Sequence, residues 1–161
     1  MDEFSLLAEQ TGVALMAQGL KMATAESCTG GWIAQQATAV SGSSEWFDCG
    51  FVSYSNEAKQ TMLGVQKETL RAHGAVSEAV VIEMARGAIA GSRAGIAVAV
   101  SGVAGPSGGT KDKPVGMVWV AWARADGVAH SHCFHFSGNR QQVRWKTVEA
   151  AFEGILALLK N

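Results

Sequence analysis

Between Gly95 and Ser101 the chain reads Ile96-Ala97-Val98-Ala99-Val100, an apolar run with no polar interruption. Its length suits a strand buried on both faces. Such a strand sits at the centre of a sheet that helices cover above and below. This run constrains the fold more than any other segment, and the elements around it agree with it.

Residues 2–18 read as an amphipathic helix, with Phe4, Leu7, Ala8, Thr11 and Leu15 at three- and four-residue spacing and Gly19 as its C-terminal cap. Residues 21–25 form a weak strand, 30–40 a helix and 41–44 a loop. A second strand is expected at 50–54. Ser55 or Asn56 then caps a short helix through Leu63. Another helix, 67–73, stops at Gly74. Ser77 caps a longer one with Val81, Met84, Ala85 and Ala88 on one face. Beyond the central run, 115–123 and 128–136 are strands that pair as a hairpin around Asp126-Gly127. The last helix runs from about Asn139 to Leu159, with Val148, Ala151, Phe152, Ile155 and Leu159 facing inward. Strands and helices alternate, then a hairpin and a long helix follow. This is an α/β pattern with a mixed sheet between helix layers.

The 161 residues suit one domain, spanning 1–161. With 48% hydrophobic and 17% charged residues the chain is globular rather than disordered. A net charge of −1 gives no basic surface for nucleic acid, so no nucleic-acid partner is expected. No segment approaches the ~18 continuous apolar residues of a membrane span, so no membrane partner is expected either. Met1-Asp2-Glu3-Phe4 is too acidic to begin a secretory signal. Cys28, Cys49 and Cys133 are odd in number and widely spaced, which favours reduced thiols and a cytoplasmic location. Trp32, Trp46 and Trp145 are available for a core or a subunit contact, and a homo-oligomer is expected.

The chemistry concentrates at Thr24-Ala25-Glu26-Ser27-Cys28-Thr29-Gly30-Gly31, where a strand turns into a helix. Ser27 then lies beside two glycines and the amino end of a helix, with a hydroxyl and unpaired N–H groups close together. A nucleophile with an oxyanion hole needs those parts, and so does a phosphate-binding loop. A nucleophilic serine also needs a base. The histidines are His73, at a helix end, and His130, His132 and His135 on the last strand. His130 and His132 share a face, but no acidic or cysteine cluster joins them there, and no metal site is expected. Lys59 lies in the first turn of the helix capped by Ser55 or Asn56, where burial and the positive helix end would both lower its pKa. Tyr54, the only tyrosine, just precedes it and can orient a proton or anchor the strand. Cys28 shares the helix terminus, where a thiolate would be stabilised, and is an alternative nucleophile.

A second glycine-rich loop, Ser101-Gly102-Val103-Ala104-Gly105-Pro106-Ser107-Gly108-Gly109-Thr110, follows the central strand. Neither a Walker A pattern nor a dinucleotide fingerprint can be written through it. Its glycines, Gly102 and Gly105 among them, let backbone amides approach a ligand. Arg140 and Arg144 open the last helix four residues apart, on one face. An arginine at a helix amino terminus suits a phosphate. Two classes of function remain on these grounds: a serine hydrolase, and a non-catalytic nucleotide-binding module built on the two glycine loops.

Several separated segments together resemble a known family. They are Ala25–Gly31, Gly50-Phe51-Val52-Ser53-Tyr54-Ser55-Asn56-Glu57-Ala58-Lys59, Gly74-Ala75-Val76-Ser77-Glu78, Ser101–Pro106 and Lys113-Pro114-Val115-Gly116. In order, over nearly the whole chain, they look like the carboxy-terminal domain of the competence-damage-inducible protein A family, in its stand-alone form. The resemblance implies a three-layer α/β/α sandwich with a mixed, largely parallel sheet. It also implies an amidase acting on nicotinamide mononucleotide, in pyridine nucleotide recycling, with no cofactor. The further domain of larger members, and any pyrophosphatase activity attributed to it, is not expected here. Ser27 matches the nucleophile and Lys59 the base, with Tyr54 assisting. Thr29, Gly30 and Gly31 are expected to hold the oxyanion. Asn56, Gly102, Gly105 and Arg140 are expected to bind the small-molecule nucleotide substrate, its phosphate near Arg140 or the 101–109 loop.

Overall fold

The computed structural model describes residues 3–160, with side chains from Ser5 onward. The elements in order are α1 (Glu3–Ala17), β1 (Met22–Glu26), α2 (Trp32–Thr38), a 3-10 turn (Ser43–Glu45) and β2 (Phe47–Val52). Then come α3 (Asn56–Leu63), α4 (Lys67–His73), α5 (Glu78–Ala90), β3 (Ile96–Gly102), β4 (Met117–Arg124), β5 (Ala129–His135) and α6 (Arg140–Leu159). The five strands form one sheet in the order β2-β1-β3-β4-β5. β1 pairs in parallel with β2 and β3, and the β3–β4 and β4–β5 pairings are antiparallel. Only β4 opposes the other strands, so the sheet is mixed and largely parallel in strand direction.

The alternation of β3 explains the two helix layers. Ile96, Val98 and Val100 pack on one side with Leu15 of α1, Ile33 of α2 and Phe152 and Ile155 of α6. Ala97 and Ala99 pack on the other with Leu63 of α3, Leu70 of α4 and Val80, Val81 and Met84 of α5. Both faces are buried, as the unbroken apolar run requires. The predicted face of α1 holds at Ala8, Thr11 and Leu15, which are buried; the side chain of Phe4 lies outside the described residues. No helix among the described residues is long and apolar enough to cross a membrane.

Two details set the position of the site. β2 starts at Phe47, earlier than the sequence indicates, because its ladder to β1 runs from Phe47 to Val52, with a register shift that skips Asp48. Only glycine fits at position 50: a Cβ there would lie 2.6 Å from Thr24 Oγ1 and 3.2 Å from Ala34 Cβ. Gly87 of α5 plays the matching part beneath α3, where a Cβ would come within 1.9 Å of Leu63 O. α3 therefore lies close against α5, and its amino end is brought beside the carboxyl ends of β1 and β2.

Candidate active site

Ligand sites in open α/β sheets form beyond the carboxyl ends of the parallel strands. Here β1 ends at Glu26, β2 at Val52 and β3 at Gly102. The loops after them meet around a cleft of about 380 Å³, closed on its remaining side by the start of α6. Ser27, Cys28, Tyr54, Asn56, Lys59 and Arg140 reach it, with Gly102 and Gly105 from the glycine-rich loop. That volume falls in the range of small-molecule sites.

Alternation along β1 explains where Ser27 goes. Met22 belongs to the core on the α6 side, and Ala23 and Ala25 to the core on the α5 side. Ser27 continues the second series and turns toward α3. Its N–H donates to Val100 O at 3.1 Å, which fixes it to the end of β3. Ser55 is the residue that caps α3: its hydroxyl accepts from Ala58 N at 3.0 Å, and Asn56 is the first helical residue. Lys59 follows one turn later and is folded inward, 1% exposed.

Lys59 Nζ has three partners: Ser27 Oγ at 3.0 Å, Ser53 O at 2.9 Å and Tyr54 O at 3.1 Å. The two carbonyls can only accept. A neutral amine has two N–H groups and one lone pair. Giving both N–H groups to the carbonyls leaves the lone pair for the Ser27 hydroxyl proton. Burial lowers the Lys59 pKa from its ordinary value and so favours this neutral form.

Cys28 is buried, and its thiol is pushed up to about 12, first by burial and then by the charge of Glu26. It is therefore protonated at neutral pH, which removes the thiolate that a cysteine nucleophile requires. A neutral thiol also places no negative charge beside Lys59. The expectation that the helix terminus would stabilise a thiolate there fails, because burial and Glu26 outweigh it.

Thr29, Gly30 and Gly31 lie in the turn but not on the cleft wall, which this turn forms through Ser27 and Cys28. Gly30 N–H donates back to Ser27 O at 3.1 Å, and Gly30 and Gly31 have φ of 62° and 104°, which need glycine. Thr29 Oγ1 donates to Glu26 Oε1 at 2.6 Å. Glu26 is 0% exposed and also accepts from Ile33 N at 2.9 Å and Ala34 N at 3.0 Å. Its carboxylate thus caps α2 from within the sheet, a role that a lone glutamate on a strand does not announce.

Arg140 is held by the capped start of α6, where Asn139 and Gln142 form a reciprocal capping box. Its Nη1 donates to Gly105 O at 2.8 Å, and its Nη2 lies 3.5 Å from Tyr54 Oη, itself 65% exposed. Arg140 and the glycine-rich loop are therefore one wall. Ala75 and Val76, after α4, supply an aliphatic wall that carried no chemical signal in the sequence. His130 and His132 lie away from this cleft. They line a separate groove with Trp122 and Phe134. Among the described residues no group of three or more His, Cys, Asp or Glu is placed to hold a metal.

This fold, with a serine and a buried lysine beyond the carboxyl ends of its parallel strands, defines a class of α/β domain that comparison with known proteins names. The chain belongs to the CinA C-terminal domain family, whose model matches residues 5–159. It is 54% identical over 153 residues to nicotinamide-nucleotide amidohydrolase PncC of Escherichia coli K12, covering 94% of this chain and 92% of that protein. It is 50% identical over 158 residues to the PncC of Pseudomonas putida, covering 98% of each. The crystal structure of the competence/damage inducible protein CihA from Agrobacterium tumefaciens superposes with a TM-score of 0.96 at 43% identity, covering 100% of this chain and 98% of that one.

Proposed function

We propose that the protein is a nicotinamide-nucleotide amidase, hydrolysing nicotinamide mononucleotide to nicotinic acid mononucleotide and ammonia through Ser27 and Lys59. The reaction serves the recycling of pyridine nucleotides. The observation that carries this reading is the 3.0 Å contact between Lys59 Nζ and Ser27 Oγ inside the cleft, in a chain whose relatives are named amidohydrolases.

Neutral Lys59 takes the proton of Ser27 as its oxygen attacks the carboxamide carbon. The carbonyl oxygen becomes an oxyanion, and the backbone amides at the Cys28 end of the turn stabilise it. Protonated Lys59, now with three N–H groups for its three partners, gives a proton to the leaving nitrogen. Ammonia departs and a nicotinoyl ester remains on Ser27. Lys59 then draws a proton from water, which attacks the ester and releases the acid. Tyr54 carries Lys59 through its carbonyl and faces the substrate through its hydroxyl. The 5′-phosphate lies against Arg140 and the loop bearing Ser107 and Gly108, which share the cleft.

The alternative, a nucleotide-binding module without turnover, accounts for the glycine loops but not for the lysine. An amine whose pKa burial lowers, held on a serine hydroxyl, serves proton transfer, which binding alone does not need. The test is to incubate the purified protein with nicotinamide mononucleotide and identify both products. Stoichiometric ammonia and nicotinic acid mononucleotide are expected. Calorimetric binding with no product would favour the binding module.

A further inference from the structure

Arg140 and Arg144 sit one turn apart on α6, yet they point to different tasks. Arg144 does not line the cleft. Its Nε donates to Cys28 O at 3.0 Å and its Nη2 to Thr29 O at 3.1 Å. The guanidinium carbon lies over the Trp32 ring, 5.5 Å from its centroid, so the ring face also attracts the charged group.

The consequence follows from peptide geometry. A trans peptide plane holds its N–H opposite its C=O. The Ser27–Cys28 plane is fixed at Ser27 O by Gly30 N–H. The Cys28–Thr29 plane is fixed at Cys28 O by Arg144 Nε. The Thr29–Gly30 plane is fixed at Thr29 O by Arg144 Nη2 and by Trp32 N at 3.2 Å. Three consecutive planes are thus set by bonds made to their carbonyls. The Thr29 N–H is turned away from α6, and the turn that presents Cys28 beside Ser27 is braced against rotation.

We propose that Arg144 is a positioning residue that braces the two peptide planes after Cys28, and so holds the Cys28 end of the turn, with its oxyanion-stabilising amide, in place beside Ser27. It acts through the backbone and makes no contact with substrate. This rests on the amidase reading, and deepens it. Arg140 then governs binding of the nucleotide, and Arg144 governs the chemical step.

The test compares Arg144→Ala and Arg144→Lys with wild type in two assays. The first is steady-state turnover of nicotinamide mononucleotide. The expected result for Arg144→Ala is a fall in kcat on the order of 10²-fold, the scale of a misplaced catalytic group, with KM little changed. Arg144→Lys restores only one of the two donors, and kcat falls between the two. The second assay is affinity for pyridine-3-boronic acid, whose boron accepts Ser27 Oγ and mimics the tetrahedral intermediate. Affinity should fall in step with kcat in both variants. Melting temperature is recorded in each case. If Arg144→Ala does not fold, the lysine variant, which keeps charge and stem, decides the matter. Wild-type kcat in either folded variant would overturn the proposal, as would a loss confined to KM. A fall in kcat without loss of boronate affinity would reduce Arg144 to a structural role. If wild type releases no ammonia, the substrate reading fails, and the boronate comparison still judges Arg144. No boronate binding by wild type would overturn it.

Discussion

Replacing Lys59 by methionine removes the base while keeping an unbranched side chain in its place. The three bonds lost are those to Ser27 Oγ, Ser53 O and Tyr54 O. Their costs differ. Ser27 faces the cleft and Tyr54 is 65% exposed, so water can replace the amine at both. Ser53 is fully buried, and its carbonyl is left unsatisfied at about 1–3 kcal/mol. For a domain of this size that is a drop in Tm of roughly 2–12 °C, at about 2–4 °C per kcal/mol. The loss of activity is much larger. A positioned general base contributes on the order of 10²–10⁴-fold, so kcat should fall by at least about 10² in a folded protein. The assay is ammonia release alongside circular dichroism and thermal melting. A folded Lys59→Met enzyme within tenfold of wild type would refute the argument that the amine lone pair activates Ser27.

The remaining predictions concern pH, the thiol and the phosphate. Because burial lowers the Lys59 pKa, kcat/KM should rise with pH through a limb set below the ordinary lysine value, and Lys59→Met should lose that limb; a wild-type limb at the ordinary value would contradict the burial argument. The same shift has a stability side. The folded state binds fewer protons than the unfolded one between the two pKa values, so this contribution grows as pH rises there and is lost as pH falls through the folded pKa. With Cys28 pushed up to about 12, iodoacetamide at neutral pH should leave activity intact, and rapid inactivation traced to Cys28 would restore it as a nucleophile. Arg140→Ala should raise KM for nicotinamide mononucleotide and leave its riboside almost unaffected, as steady-state kinetics on both substrates will show; equal effects on both would move the phosphate elsewhere.

The legible parts of the fold are those whose pattern is carried by side chains. The β3 run could be read because both of its faces are buried, and the cap Ser77 because its side chain bonds the helix backbone at a fixed local spacing. β2 was displaced because Asp48, Cys49 and Gly50 hide a strand that its backbone ladder to β1 defines. β4 begins at Met117 rather than 115 because Gly116, at φ 95°, turns the chain against Phe136 O. At the site, Ser27 and Lys59 were visible as a strand-to-helix serine and a first-turn lysine, and the structure adds their distance. The roles of Glu26 and Arg144 were not visible. Both bond to backbone groups of the 28–34 segment, and neither does so at the fixed local spacing that makes a helix cap readable. Arg140 and Arg144 share a helical spacing, but the loops facing each one assign them different partners.

The central claim is that Ser27 is the nucleophile of an amidase. The most direct measurement is the rate of ammonia release from nicotinamide mononucleotide by Ser27→Ala relative to wild type, with both shown to be folded. Ser27 is small and lines the cleft, 7% exposed, so its loss should leave the fold intact. The account predicts turnover by wild type and a loss on the order of 10⁶-fold in the variant, the scale seen when a nucleophile is removed. Turnover by Ser27→Ala near the wild-type rate would contradict it.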